Sequence, residues 1–204
     1  MNYETIPLPE IVSKTAATLK ERNFDAIVVN TKEEALEKVK SLIPAGAPVM
    51  NGSSTTLEQI GFVDYLKSGK SGWSNLHDAI LAEKDQQKQA ELRKQSILAQ
   101  YFLGSVQAIT ESGQLLIASA SGSQLASYVF SADNVIFVAS TNKIIPTIED
   151  AYTRLKEYVF PLENERMKTV GYPGSVIGKV LIFEREINPA RKITIILVNE
   201  KLGY

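Results

Sequence analysis

An α/β fold built on a parallel sheet is predicted by three features of this 204-residue chain. The apolar run FDAIVVN, the amphipathic stretch TKEEALEKVKSL and the apolar run APVMN follow one another, so two buried strands are separated by a helix-length crossover. Such a crossover requires parallel pairing and a right-handed connection. NVIFVAS and KITIILVNE repeat the strand composition later in the chain. With 44% hydrophobic and 22% charged residues, the chain has the composition of one soluble domain with a sizeable core.

Pro9 and Glu10 open the first helix, whose apolar positions Ile11, Val12, Thr15 and Leu19 carry it to about Asn23. FDAIVVN is the first strand. Thr31 and Glu34 form a capping box for the second helix, which ends at Pro44 and Gly46. APVMNGSSTT is a short strand running into a polar loop. There Thr55 and Glu58 repeat the capping-box spacing, so a third helix begins. Residues Asn75 to Gln100 read as one or two polar surface helices, with the charge run Glu83 to Lys94 as a solvated face. Trp73, in KSGKSGWSN, reads as an anchor for a flexible connection, the commoner role, or as a pocket-lining residue.

The segment Tyr101 to Ser123, YFLGSVQAITESGQLLIASASGS, reads as strand, polar turn, strand and serine-rich loop. SQLASYVF suggests a short helix, and NVIFVAS is a buried strand ending at Thr141, Asn142 and Lys143. Thr147 and Asp150 start a further helix, with Ile148, Tyr152, Leu155 and Val159 on its apolar face and Pro161 as its expected end. Gly171 to Gly178 form a loop, and KVLIFERE and KITIILVNE are strands joined by INPAR.

The composition excludes several function classes. There is no cysteine, so disulfides, thiolate catalysis and cysteine-held zinc or iron–sulfur sites are ruled out for this chain. His77 is the single histidine, and it reads as a surface or helix-start residue; no metal site is expected from imidazoles. A magnesium site stays open, because one or two carboxylates with water or phosphate suffice. The net charge of -1 argues against nucleic acid or an anionic membrane as partner. No apolar stretch has membrane-spanning length and the N-terminus lacks signal-peptide character, so the expected location is the cytoplasm.

Two polar regions carry the functional candidates. Gly52, Ser53, Ser54, Thr55 and Glu58 lie at an expected helix N-terminus, where free N–H groups and the dipole attract an anion, or where the side chains simply cap the helix. Gly104, Thr110, Glu111, Gly113, Ser121, Gly122 and Ser123 lie along the 101–123 segment, either on a ligand-binding sheet rim or on an ordinary solvated hairpin. Asn142 and Lys143 end a strand, and Lys143 offers a positive charge there. Arg166 offers a bidentate grip on carboxylate or phosphate, or else pairs with Glu163 or Glu165.

The segments GSVQAITESGQL, SASGSQL, VIFVASTNKIIPTIEDAYTRL with PLENER, NGSSTTLEQIG and ITIILVNEKLGY together resemble the LUD domain, the lactate-utilisation C family. The resemblance covers most of the chain from about Met50, with residues 1–48 as an N-terminal helix-strand-helix preceding it within a single domain of residues 1–204. It implies a three-layer α/β/α, Rossmann-like arrangement shared with sugar-phosphate isomerases and coenzyme A transferases. It also implies a bacterial system that oxidises L-lactate to pyruvate beside separate iron–sulfur subunits. Many relatives carry a cysteine-bearing segment near the last strand. The matching stretch here, VGYPGSVIGKVLIFEREINPARK, has none, so no thiol-held cluster carries over.

The leading expectation is a protein that binds an organic acid, or a phosphorylated or coenzyme-linked metabolite, as an accessory subunit in carboxylate oxidation. By analogy with the glutamate nucleophile of the coenzyme A transferases, whose fold the LUD resemblance implies, an alternative makes it a stand-alone transferase-like or isomerase-like enzyme with Glu111 as base or nucleophile. A third makes it a non-catalytic interaction protein presenting residues 75–100 to partners. No cofactor is identified, and self-association into a homo-oligomer stays open. If a pocket exists, Thr110, Glu111 and the SASGS loop are expected to face Ser53 to Thr55 across it.

Overall fold

The computed structural model describes residues 2–204. In chain order its first elements are α1 (Pro9–Glu21), β1 (Asp25–Val29), α2 (Lys32–Leu42), β2 (Pro48–Asn51), α3 (Thr55–Gln59) and α4 (Phe62–Lys67). Then come β3 (Ser74–Asn75), α5 (Leu76–Ala82), α6 (Gln86–Gln95), β4 (Tyr101–Gly104), β5 (Ala108–Thr110) and β6 (Leu115–Ser119). The chain closes with β7 (Asn134–Ser140), β8 (Ile144–Ile145), α7 (Ile148–Arg154), α8 (Phe160–Thr169), β9 (Lys179–Phe183) and β10 (Lys192–Val198).

Six strands form a parallel sheet in the order β1-β10-β7-β4-β2-β3. Its central strands are apolar on both faces, because helices or a second sheet cover each side. On β7 and β10 the alternation sorts the side chains. Val135, Phe137, Ile193, Ile195 and Leu197 pack with Val12 and Leu19 of α1, while Ile136, Val138, Ile196 and Val198 pack with Ala35 and Val39 of α2 and Leu57 of α3. The result is a three-layer α/β/α arrangement. Full burial of each of these large aliphatic side chains contributes about 2 kcal/mol.

The second sheet has the order β8-β5-β6-β9, with β5 antiparallel to β6 and parallel to β8. One of its faces joins the α1 side of the core through Ile109 and Leu115, and the other is covered by Ala151, Leu155 and Val159. Chain segments therefore cross between sheets twice at one end: β4 leaves the main sheet for β5, and β7 leaves it for β8.

The second helix keeps its expected cap: the Thr31 hydroxyl accepts from the Glu34 N–H at 3.2 Å, and the Glu34 carboxylate accepts from the Asn30 N–H at 2.8 Å. Trp73 is an anchor, donating its indole N–H to Ile43 O at 3.2 Å and packing beside Phe62 and Tyr65. Three expectations are corrected. The apolar run before Glu111 is two strands in different sheets, because Ser105 to Gln107 bend the chain out of the main sheet. The cap of α3 is Ser54, whose hydroxyl accepts from Leu57 N–H at 3.3 Å, not Thr55. Pro161 does not end the helix: residues 155–159 form a wide π-type turn between α7 and α8, and Pro161 falls in the first turn of α8, where its missing N–H leaves no helix bond unmade.

Candidate functional site

The loops that follow β2, β4, β7 and β10 leave the carboxyl ends of neighbouring parallel strands, the edge where open α/β sheets bind ligands. Three of them supply Gly52 to Thr56, Ser105 to Gln107, and Lys143, and the chain after β10 adds Gly203 and Tyr204. Together with the loop after β6 and one face of α8 they enclose a cleft of about 800 Å³. The floor is polar. The walls carry Leu81, Ile97, Phe102, Leu155, Val159, Phe160 and Val176.

Lys143 lies at the centre of the floor. Ser140 shapes its approach: its hydroxyl accepts from Asn142 N–H at 3.3 Å and donates to Glu200 O, which closes a short 3-10 turn over Thr141–Lys143. The Lys143 side chain is 2% exposed. Its Nζ lies 3.2 Å from each of Thr56 Oγ1, Ser105 Oγ and Val106 O. No carboxylate forms an ion pair with it among the described residues. Burial, and secondarily the charge of Arg154, lowers its pKa to about 7.

Arg154, the last residue of α7, is itself fully buried. It donates from Nη1 to Gln107 O and lies against the rings of Tyr3 and Tyr158, at 5.7 and 5.2 Å from their centroids. Its Nε and Nη2 have no hydrogen-bond partner, and burial lowers its pKa to about 10. Lys143 on the cleft floor and Arg154 behind it are thus two buried basic groups without a carboxylate partner among the described residues.

The opposite wall is neutralised. Arg166 grips Glu163 with Nε and Nη2, both at 2.8 Å, and reaches Ser53 Oγ at 3.3 Å. The Tyr204 hydroxyl donates to the same Glu163 carboxylate. Burial pushes the Glu163 carboxyl up, but the Arg166 and Tyr204 hydrogen bonds more than offset it, and the net shift is downward.

The glycines at the ends of β2 and β4 admit an aromatic ring. A Cβ on Gly104 would overlap the Tyr128 hydroxyl, and one on Gly52 would lie 3.0 Å from it. Tyr128 lines the cleft, wedged against Phe102 and Phe137. Its phenol is pushed well above the usual range by burial.

The sequence model of the LUD domain matches residues 12–198. This chain is a LUD-domain protein. The fold is also similar to that of a solved DUF162 family protein from Deinococcus radiodurans, with a TM-score of 0.56 and 11% identity, covering 95% of this chain and 100% of that one. No curated protein matches the sequence.

In this LUD domain the cleft gathers Gly52, Ser53, Ser54, Thr55, Ser121, Ser123, Lys143 and Arg166 from the expected site residues. Glu58, Gly104, Thr110, Glu111, Gly113, Gly122 and Asn142 are not part of its lining. Glu58 is exposed on α3. The turn bearing Glu111 packs on α1 instead: Thr18 donates to Glu111 O at 2.9 Å, and Lys14 Nζ lies 4.0 Å from its carboxylate. Thr110 bonds within that turn, to Ser112 Oγ and to Gln114 N–H, both at 2.9 Å. Gly113 has φ 86°, which lets the turn close on Thr18. Asn142 donates to Tyr3 O at 3.1 Å and is buried beneath the floor. The SASGS loop does face Ser53 to Thr55; Thr110 and Glu111 do not.

Sequence reading missed Thr56, Ser105, Tyr128 and Tyr204, and named Glu163 only as a partner for Arg166, which it is. A strand end recognised at Gly104 would have exposed Ser105 as the counterpart of Ser53. His77 is a helix-start residue, its N–H donating to Asn75 Oδ1 at 3.0 Å, yet it also lines the cleft. Burial, then the charge of Arg93, lowers its pKa. Among the described residues no group of three or more metal-ligating side chains comes together, and no helix is long and apolar enough to cross a membrane.

Proposed function

We propose that this LUD domain binds a small anionic metabolite, an organic acid or a phosphorylated or coenzyme-linked one, in the cleft above Lys143. One observation carries the reading: an amine buried without a carboxylate forms the floor of a large cleft. A buried lysine without a counter-charge is costly, and an anionic ligand supplies the missing partner. Ser53, Ser105 and Thr56 add hydroxyl donors, and the apolar walls suit an acyl or pantetheine-like portion.

Isothermal titration with lactate, pyruvate, a sugar phosphate and an acyl-coenzyme A tests this. Lactate and pyruvate come first, because the family resemblance implies an L-lactate oxidation system, in which the protein would act as an accessory to iron–sulfur subunits. At least one saturable isotherm is expected, weakened about tenfold or more by Lys143→Met, as for loss of one charge-assisted contact. Absence of binding by the whole panel, or equal affinity in the variant, rejects the reading.

A further inference from the structure

We propose that Lys143 captures the carbonyl form of its ligand, a 2-oxo acid or a phosphorylated aldehyde, as an imine between Nζ and the carbonyl carbon. The inference rests on the cleft reading above and specifies its substrate class.

The contacts of Nζ accommodate a neutral amine, and its burial beside Arg154 disfavours the charged form. Only Val106 O is an obligate acceptor; the Thr56 and Ser105 hydroxyls, 3.4 Å apart, each accept from an N–H or donate to the nitrogen lone pair. The three contacts therefore hold the amine as well as the ammonium. A lysine kept for its charge alone is normally paired with a carboxylate or left in water, whereas this one has neither and shares its burial with the Arg154 cation. With its pKa lowered to about 7, roughly half the amine is neutral at neutral pH. For an ordinary lysine the neutral fraction is on the order of one in several thousand. Every other lysine of the chain is exposed or half-buried.

The step needs no oxidant. The Nζ lone pair attacks the carbonyl carbon and forms the C–N bond, while the carbonyl oxygen takes up a proton through the Ser105 hydroxyl, which receives one from Nζ. The carbinolamine then loses its hydroxyl and the second Nζ proton as one water, leaving C=N. Ser105 and Thr56 stand where those protons must pass.

Reductive trapping on the full-length protein tests the inference. Pyruvate, or glyceraldehyde 3-phosphate, is added with sodium borohydride at neutral pH, and the adduct is located by peptide mass mapping. The expected result is one reduced adduct per chain on Lys143, at least about tenfold above any other lysine, in line with its larger neutral fraction. Lys143→Arg should abolish it and Ser105→Ala should slow its formation; mapping the wild-type protein keeps the test decisive if the arginine variant fails to fold. Adducts spread over exposed lysines overturn the inference. So does a probe that binds by titration but leaves Lys143 unmodified, which keeps the cleft reading intact. If neither probe is trapped and the whole ligand panel also fails to bind, both readings fall together.

Discussion

Replacing Lys143 by Met should change not only the stability of the fold but its dependence on pH. In the unfolded chain the amine titrates near its ordinary value of 10.5, and in the folded protein near 7. Below about pH 7 both states hold the proton and the folded state bears the full cost of a buried charge. Between the two values the unfolded state binds a proton that the folded state has released, so stability rises with pH. The slope is half a proton at pH 7 and nearly one by pH 8, which amounts to roughly 2 kcal/mol between pH 7 and 9. For a chain of this size that is about 4–8 °C in Tm.

Few other shifted groups act in that window. His77, lowered by burial, contributes below it. Arg154, lowered to about 10, and the raised phenols of Tyr3, Tyr128, Tyr158 and Tyr204 contribute above it. Lys143→Met also strips the donor from Thr56, Ser105 and Val106, but that loss is independent of pH. Thermal melts of both proteins from pH 6 to 9 should show the rise in the wild type and its absence in the variant. Parallel curves, or a flat wild-type curve, would refute the assignment of a buried, neutralised amine.

Ser54→Ala should lower stability by about 1 kcal/mol, read by denaturant titration, because it removes the cap of α3. Gly104→Ala should cost about 1–3 kcal/mol by forcing the Tyr128 hydroxyl aside, and Tyr128→Phe in the same chain should recover part of that loss in thermal melts. Arg191→Met should cost about 3 kcal/mol or more on chemical unfolding. Its guanidinium pairs with buried Glu186 and donates to the carbonyls of Ser127, Tyr128, Val129 and Ala132. Glu111→Gln should leave ligand titration unchanged and stability within about 0.5 kcal/mol, since its pairing with Lys14 is exposed.

The regular parts of the fold were legible from local signals. The capping box at Thr31 and Glu34, the apolar period of α1 and the runs of β7 and β10 each specify their element without help from distant residues. Pro161 misled because a π-type turn upstream changes which N–H the helix requires, and no residue pattern in LKEYV announces that turn. The run before Glu111 misled because Tyr101–Gly104 and Ala108–Thr110 are both strand-like, and only the separation of two sheets tells them apart. For the site, Lys143 and the Ser53 loop were visible as strand-end residues. What makes Lys143 unusual is burial away from any carboxylate beside Arg154, a tertiary property with no signature in its neighbours. Glu111 drew attention as a carboxylate among glycines and serines, whereas its turn is occupied with α1.

The crystal structure of this LUD domain with pyruvate bound tests the role of Lys143 most directly. Density is expected in the cleft, with an oxygen or the carbonyl carbon of the ligand in contact with Lys143 Nζ and a hydroxyl of Ser105 or Ser53 within about 3 Å. Density seated instead at the turn of Thr110 and Glu111, with the cleft holding only solvent, would contradict that role.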